Sequence, residues 1–294
     1  MKDLEQRIAM VRNDREHGSR WLVREVISIL HDLASTPGTS SEEQMRQLRA
    51  VGRELAHVRP AMAALAGAVA RILGTANDPA GVVREAEHLL EEYDQATKRI
   101  AEYARPLLKG TLMTHSLSGT VLEVLGACLT QLERVIVLEG RPRYEGREVA
   151  RALSKQGVAV TLITDAQADI FLPQCHAVVV GADTVLANGD VLNKAGTALL
   201  AWAAQGHKVP FYVLCETLKI SPHRWSGDLG QLEEKEPEEV LEEALPGVTV
   251  RNFYFDHTPA MLVTSVITEQ GLLSPQEIEQ IASTLEQAMI NAEQ

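Results

Sequence analysis

After Gly110 the chain breaks into short apolar runs separated by helical stretches, and this alternation limits the fold more than any other feature. The runs are Thr111 to Thr114, Val135 to Leu138, Val158 to Ile163, Ala177 to Val180 and Phe211 to Leu214. Each is rich in β-branched side chains and bounded by Gly, Pro or Asp, so it reads as a strand buried on both faces. Helical patterns lie between most of them. Strands that alternate with helices in this way form crossover units and a parallel sheet.

The first half reads differently. Leu22, Val26, Ile29 and Leu30 fall on one face of a helix, at the i, i+4, i+7, i+8 spacing. The stretch from Ser35 to Ser41 is the clearest turn signal. Ser41, followed by Glu42 and Glu43, supplies an N-cap and an acidic first turn for the next helix. Pro60 is suited to the first turn of a helix through Leu73, and a further helix is expected from Pro79 to Leu108. The acidic stretch from Glu233 to Leu245 reads as a solvated loop with a short helix. The expected fold class is α/β: an N-terminal helical domain, residues 1–109, then a Rossmann-like, doubly wound, mainly parallel sheet domain, residues 110–294.

Composition narrows the function classes. Twenty-eight basic residues face forty acidic ones, a formal charge of −12, so direct nucleic-acid binding is not expected from a chain with no excess of Lys and Arg. No apolar run reaches the length of a membrane span, and charge at the N-terminus replaces the apolar core of a signal peptide. Cys128, Cys175 and Cys215 are odd in number and far apart, which argues against a disulfide framework and for a reducing, cytoplasmic setting. There is no GxGxxG and no P-loop. The nine histidines show no metal-ligand spacing. Neither a metal nor an organic cofactor is expected.

In open parallel sheets, ligands bind beyond the carboxyl ends of strands. Three such segments stand out. Thr114-His115-Ser116-Leu117-Ser118-Gly119 offers hydroxyls, an imidazole and backbone amides able to cradle a phosphate. Glu139-Gly140-Arg141-Pro142-Arg143-Tyr144-Glu145-Gly146-Arg147 offers an arginine fork, although Arg143 and Arg147 could equally pair with neighbouring glutamates. Gly181-Ala182-Asp183 ends a strand in a carboxylate, which could instead cap a turn. Beyond it, Asn188-Gly189 is a tight turn, Asn193 could cap the next helix, and Lys194 beside that helix N-terminus would make an anion site.

In order, these segments resemble the translation initiation factor 2B alpha/beta/delta subunit superfamily, which includes ribose-1,5-bisphosphate isomerase and methylthioribose-1-phosphate isomerase. Further motifs carry the resemblance: Asn193-Lys194-Ala195-Gly196-Thr197, Glu216-Thr217, Tyr254-Phe255-Asp256-His257-Thr258-Pro259 and Thr268-Glu269-Gln270-Gly271. It implies an aldose–ketose isomerase for a phosphorylated pentose, with Asp183 moving protons and Arg141, Glu145, Asn193 and Lys194 binding substrate. It also implies Gly18 and Arg59 on the phosphate side.

Two departures bear on this reading. The isomerases have a cysteine after the histidine of the Thr-His motif, where this chain has Ser116, a far weaker acid than a thiol. Ser116 is then left to hydrogen-bond a developing oxyanion. In the phosphate grip, His17 replaces an arginine, flanked by Arg15 and Arg20. The alternative is a noncatalytic regulatory subunit that keeps a pocket for a sugar phosphate or nucleotide. A homodimer is implied in either case. The adjacent aromatics Phe253, Tyr254 and Phe255 are the candidate interface, since such clusters usually need cover.

Overall fold

The computed structural model describes residues 2–14, 18–36 and 40–293. Arg15, Glu16 and His17, and the centre of the turn expected between Ser35 and Ser41, lie outside the described residues. Five helices open the chain: α1 (Lys2–Asn13), α2 (Ser19–Ser35), α3 (Ser41–His57), α4 (Ala63–Thr75) and α5 (Pro79–Ala104). Leu22, Val26, Ile29 and Leu30 are all buried, as their spacing requires. Each is worth roughly 1.5–3 kcal/mol when withdrawn from water. The cap of α3 is Ser40 rather than Ser41: the extended backbone at Ser40 lets its hydroxyl accept from the Glu43 amide at 3.2 Å. Pro60 sits in a turn, and α4 begins three residues later. There the Thr184 hydroxyl, from the second half of the chain, accepts from the Ala63 amide at 3.1 Å and donates to the Ala61 carbonyl at 2.9 Å.

The remaining strands are β1 (Gly110–Thr114), β2 (Leu132–Leu138), β3 (Val160–Ile163), β4 (Ala177–Val180), β5 (Thr184–Leu186), β6 (Val191–Lys194), β7 (Phe211–Leu214), β8 (Ile220–Ser221), β9 (Phe255–Thr258), β10 (Ser265–Thr268) and β11 (Gly271–Leu273). The helices among them are α6 (Gly119–Ala127), α7 (Gly146–Lys155), α8 (Ala168–Phe171), α9 (Thr197–Gly206) and α10 (Pro275–Glu293). The main sheet has the order β11-β10-β7-β4-β1-β2-β3. All its pairs are parallel except the β10–β11 hairpin. The strand order reverses between β1 and β4, so the crevice of a doubly wound sheet opens where Thr114 and Val180 end.

Sequence patterning did not anticipate the second sheet, β8-β5-β6-β9. Asn188-Gly189 is the turn of its β5–β6 hairpin, with Gly189 at φ 84°. Lys194 is therefore the last residue of a strand and not a helix-terminal residue. Leu186, Leu192 and Phe255 carry this sheet into the core of the helical half. The last helix, α10, also returns to that half and runs along α4. The crossing is so close that a Cβ on Gly74 would lie 2.4 Å from the Ala288 carbonyl oxygen. The expected boundary at residue 109/110 thus has core residues from both sides packed across it.

Candidate functional site

A cleft of about 960 Å³ lies at the switch point, between the helical half and the carboxyl ends of β1 and β4. Gly18, Arg59, His115, Ser116, Glu145, Asp183, Asn193 and Lys194 all line it. Eight Lys or Arg side chains face five carboxylates there, in a chain whose overall charge is −12. Such a reversal concentrates anions by focusing the field in a low-dielectric cleft. The N-terminal ends of α2 (Gly18, Ser19) and α6 (Gly119, Thr120) also open into it, adding backbone N–H groups that favour negative charge.

Asp183 follows β4 directly, and its amide is fixed to the Leu192 carbonyl at 3.0 Å. Its carboxyl is enclosed by protein and opens onto the cleft. Burial pushes its pKa above the ordinary aspartate range, Lys219 and Lys194 pull against that, and Glu233 and Glu145 add to it. Burial therefore favours the protonated form of this carboxyl more than water would. Gly181, two residues earlier, lets the strand end pass under α6: a Cβ there would lie 2.7 Å from Ser118 Oγ.

Ser116 adopts the left-handed backbone, φ 67°, which is uncommon for a side chain other than Gly or Asn and turns its hydroxyl into the cleft. Ser116 Oγ donates to Glu145 Oε2 at 3.1 Å, and Lys194 Nζ meets Glu145 Oε1 at 2.9 Å. Lys194 also lies 4.3 Å from the centre of the Tyr254 ring. Behind Asp183, Lys219 Nζ sits 3.6 Å from Glu216 Oε2, and Thr120 donates to Glu216 Oε1 at 2.7 Å. Burial disfavours the charge on Lys219, but Glu216 and Asp183 outweigh it and hold the ammonium above the ordinary lysine range. Burial likewise disfavours the Glu216 carboxylate, and Lys219 outweighs it, holding that pKa low.

His115 lines the floor with its ring fixed: Nε2 lies 2.9 Å from the Ala195 carbonyl. Burial lowers its pKa, which favours the neutral imidazole. Arg59 donates to the Asp14 carbonyl at 3.0 Å, tying the stretch before α2 to the cleft wall. Asn193 donates to Thr197 Oγ1 at 3.0 Å.

Several expectations need correcting. Arg141 points away from the cleft. Its guanidinium donates to the Tyr144 hydroxyl at 2.8 Å and the Val240 carbonyl at 3.1 Å, and Asp165 takes the amides of Gly140 and Arg141. Arg143 lines the cleft in its place, because the chain turns at Tyr144 with φ 58°. Arg147 takes the alternative course of pairing with Glu139, at 3.5 Å. The helix after Lys194 offers no anion site, since Asp256 already accepts from the Gly196 and Ala198 amides. Phe255 is in the core and Tyr254 is buried beneath Lys194, so this segment is covered by its own chain and is not an exposed interface. Glu233, read as solvated, has a buried side chain beside Lys235 at 2.8 Å and Arg59 at 3.8 Å.

Sequence reasoning passed over Lys219 and Lys235, whereas Arg20, which flanks the expected phosphate grip, does line the cleft. Lys219 had a usable signal, because it lies just beyond the carboxyl end of a recognised strand, β7. Among the described residues, no group of three or more His, Cys, Asp or Glu is placed to hold a metal ion. No helix among them is long and apolar enough to cross a membrane.

The doubly wound sheet thus places a carboxylate at its switch point, in a cleft lined by eight Lys or Arg side chains. The model of the initiation factor 2 subunit family matches residues 15–275, and the chain belongs to that family. It is 34% identical over 248 residues to a protein of Archaeoglobus fulgidus named ribose 1,5-bisphosphate isomerase, a match that covers 81% of this chain and 79% of that protein. It is also 34% identical, over 274 residues, to a Pyrococcus furiosus protein named translation initiation factor eIF-2B subunit 2-like, covering 90% of this chain and 94% of that one. Among solved structures, the Pyrococcus horikoshii translation initiation factor eIF-2B superposes with a TM-score of 0.81 at 31% identity, over 95% of this chain and 99% of that one.

Proposed function

We propose that this chain is an aldose–ketose isomerase acting on a phosphorylated pentose of the ribose 1-phosphate or ribose 1,5-bisphosphate type, in the cytoplasm. The observation that carries the reading is Asp183, an enclosed carboxylate flanked by Lys219 and Lys194 and opening into a cationic cleft. Isomerisation moves a proton between C1 and C2 and needs a positioned acid or base with the phosphates held still. Asp183 supplies the proton group. Lys194, Arg59, Asn193 and the open ends of α2 and α6 hold the anionic sugar. The isomerase name of the Archaeoglobus relative supports the same assignment.

A second reading is favoured by Ser116, which stands where the isomerases carry a thiol. A noncatalytic, initiation-factor-2B-like subunit that binds a sugar phosphate or nucleotide would keep the cleft and lose the thiol, and the Pyrococcus relative carries such a name. The two readings separate on the purified protein. Ribose 1,5-bisphosphate and other pentose 1-phosphates should be converted to ketoses. Absence of turnover, with a rise in melting temperature on adding the same sugars, would move the protein to the regulatory reading.

We also propose a homodimer, formed not by the Tyr254 segment but by the face around α9. Leu199 and Trp202, one turn apart on α9, are 67% and 51% exposed. Ile170 on α8 and Met261 in the turn after Pro259 are 68% and 72% exposed, on elements packed against α9. Several large apolar side chains on adjoining elements mark an interaction surface. Light scattering should return twice the 32.2 kDa of one chain, and Trp202→Glu should return a monomer. A wild-type monomer at micromolar concentration would contradict the assignment.

A further inference from the structure

An isomerase of this kind needs two proton-handling groups, one for the ring oxygen and one for the hydrogen that moves between C2 and C1. Asp183 fills one role. The three thiols are unsuited to the other: Cys128, Cys175 and Cys215 lie outside the cleft lining, and burial pushes each of them up, Cys175 to about 11. The Ser116 hydroxyl is itself too weak an acid to cycle through an anion near neutral pH. It is, however, hydrogen-bonded at 3.1 Å to a carboxylate that opens onto the same cleft, Glu145. That carboxylate is held from both sides, by Ser116 on Oε2 and by Lys194 on Oε1. It also faces Asp183 closely enough to act on its charge.

We propose that Glu145 is the group that carries the hydrogen between C2 and C1, with Ser116 as the positioning residue that aims its Oε2. The proposal rests on the isomerase reading and assigns its missing base. Protonated Asp183 gives its proton to the ring oxygen as the C1–O4 bond breaks. Glu145 takes the proton from C2, and the C–H electron pair becomes the C1–C2 double bond of an enol phosphate. The C2 hydroxyl then returns a proton to Asp183 as its carbonyl forms, and Glu145 delivers its proton to C1. Both carboxyls end as they began, and no oxidant or reductant is consumed. When sugar phosphate enters, Lys194 can turn from Glu145 towards the phosphate, leaving Oε1 free to act.

The test compares turnover of ribose 1,5-bisphosphate and calorimetric affinity for it in wild type and variants. Glu145→Gln should lose at least ~100-fold in kcat, the lower end for a lost acid or base, while calorimetric affinity for the sugar stays within a few fold. Glu145→Asp, which keeps a carboxylate able to take up a proton, should recover at least ~10-fold of that loss in kcat. Ser116→Ala should lose no more than ~10-fold, since it removes only the aim of the base. An active wild type whose Glu145→Gln keeps its rate, or whose Glu145→Asp recovers nothing, would overturn the role of Glu145 and leave the isomerase reading standing. A wild type without turnover of any pentose 1-phosphate would overturn both.

Discussion

Asp183→Asn should lower turnover of a pentose 1-phosphate by at least ~100-fold while leaving its binding nearly unchanged. The amide keeps the volume and polarity of the carboxyl but cannot give up and regain a proton. The side chain follows β4 directly and its backbone is tied to β6 through Leu192, so the substitution disturbs no packing. The amide is neutral, like the protonated carboxyl it replaces, so affinity for phosphate is not expected to fall. Steady-state kinetics and calorimetry on the same preparation separate the two parameters. Undiminished turnover in Asp183→Asn would remove Asp183 from the mechanism.

The largest effect on stability is expected at Lys219. Lys219→Met should cost about 3–5 kcal/mol, because it leaves the Glu216 carboxylate buried without its ammonium. The carboxylate would keep the Thr120 hydroxyl as a donor to its Oε1 but no neighbouring ammonium within ion-pair distance among the described residues. Adding Glu216→Gln to Lys219→Met removes the orphaned charge and should recover much of the loss, as a double-mutant cycle in urea would show. The pH dependence of the pair follows from the two shifts. Glu216 is held below its ordinary range, so its contribution is present above that range and fades as pH falls through its lowered folded value. Lys219 is held above its ordinary range, so its contribution is present below that range and fades as pH rises through its raised folded value. Additive single-variant effects would mean that the two groups do not stabilise each other.

Much of this was legible in the sequence because the main sheet is built from runs that are apolar on both faces. Ala177–Val180 and Phe211–Leu214 coincide with β4 and β7, and the other three expected strands overlap β1, β2 and β3. The strand-end rule then led directly to Ser116, Glu145 and Asp183. The second sheet escaped because its strands are too short or too polar for periodicity. Ile220–Ser221 has two residues, and β6 ends in Asn193-Lys194. Without that sheet, Lys194 reads as a helix-terminal cation and the aromatics of Tyr254-Phe255 as surface. With it, Phe255 is opposite Lys194 in the β6–β9 ladder and belongs to the core. The exchange of Arg141 for Arg143 was beyond spacing arguments, since it depends on the left-handed turn at Tyr144 and on Asp165 holding the amides of Gly140 and Arg141.

On this reading the switch-point cleft both holds a phosphorylated pentose and moves its protons. Carbon-13 NMR of ribose 1,5-bisphosphate labelled at C2, incubated with the wild-type chain, tests both halves at once. The C2 carbinol signal should be lost and a ketone carbon should grow at a rate proportional to enzyme, with Asp183→Asn at least ~100-fold slower. A labelled sugar that raises the melting temperature of the protein but stays an aldose indefinitely would contradict this reading and identify a sensor in an isomerase's fold.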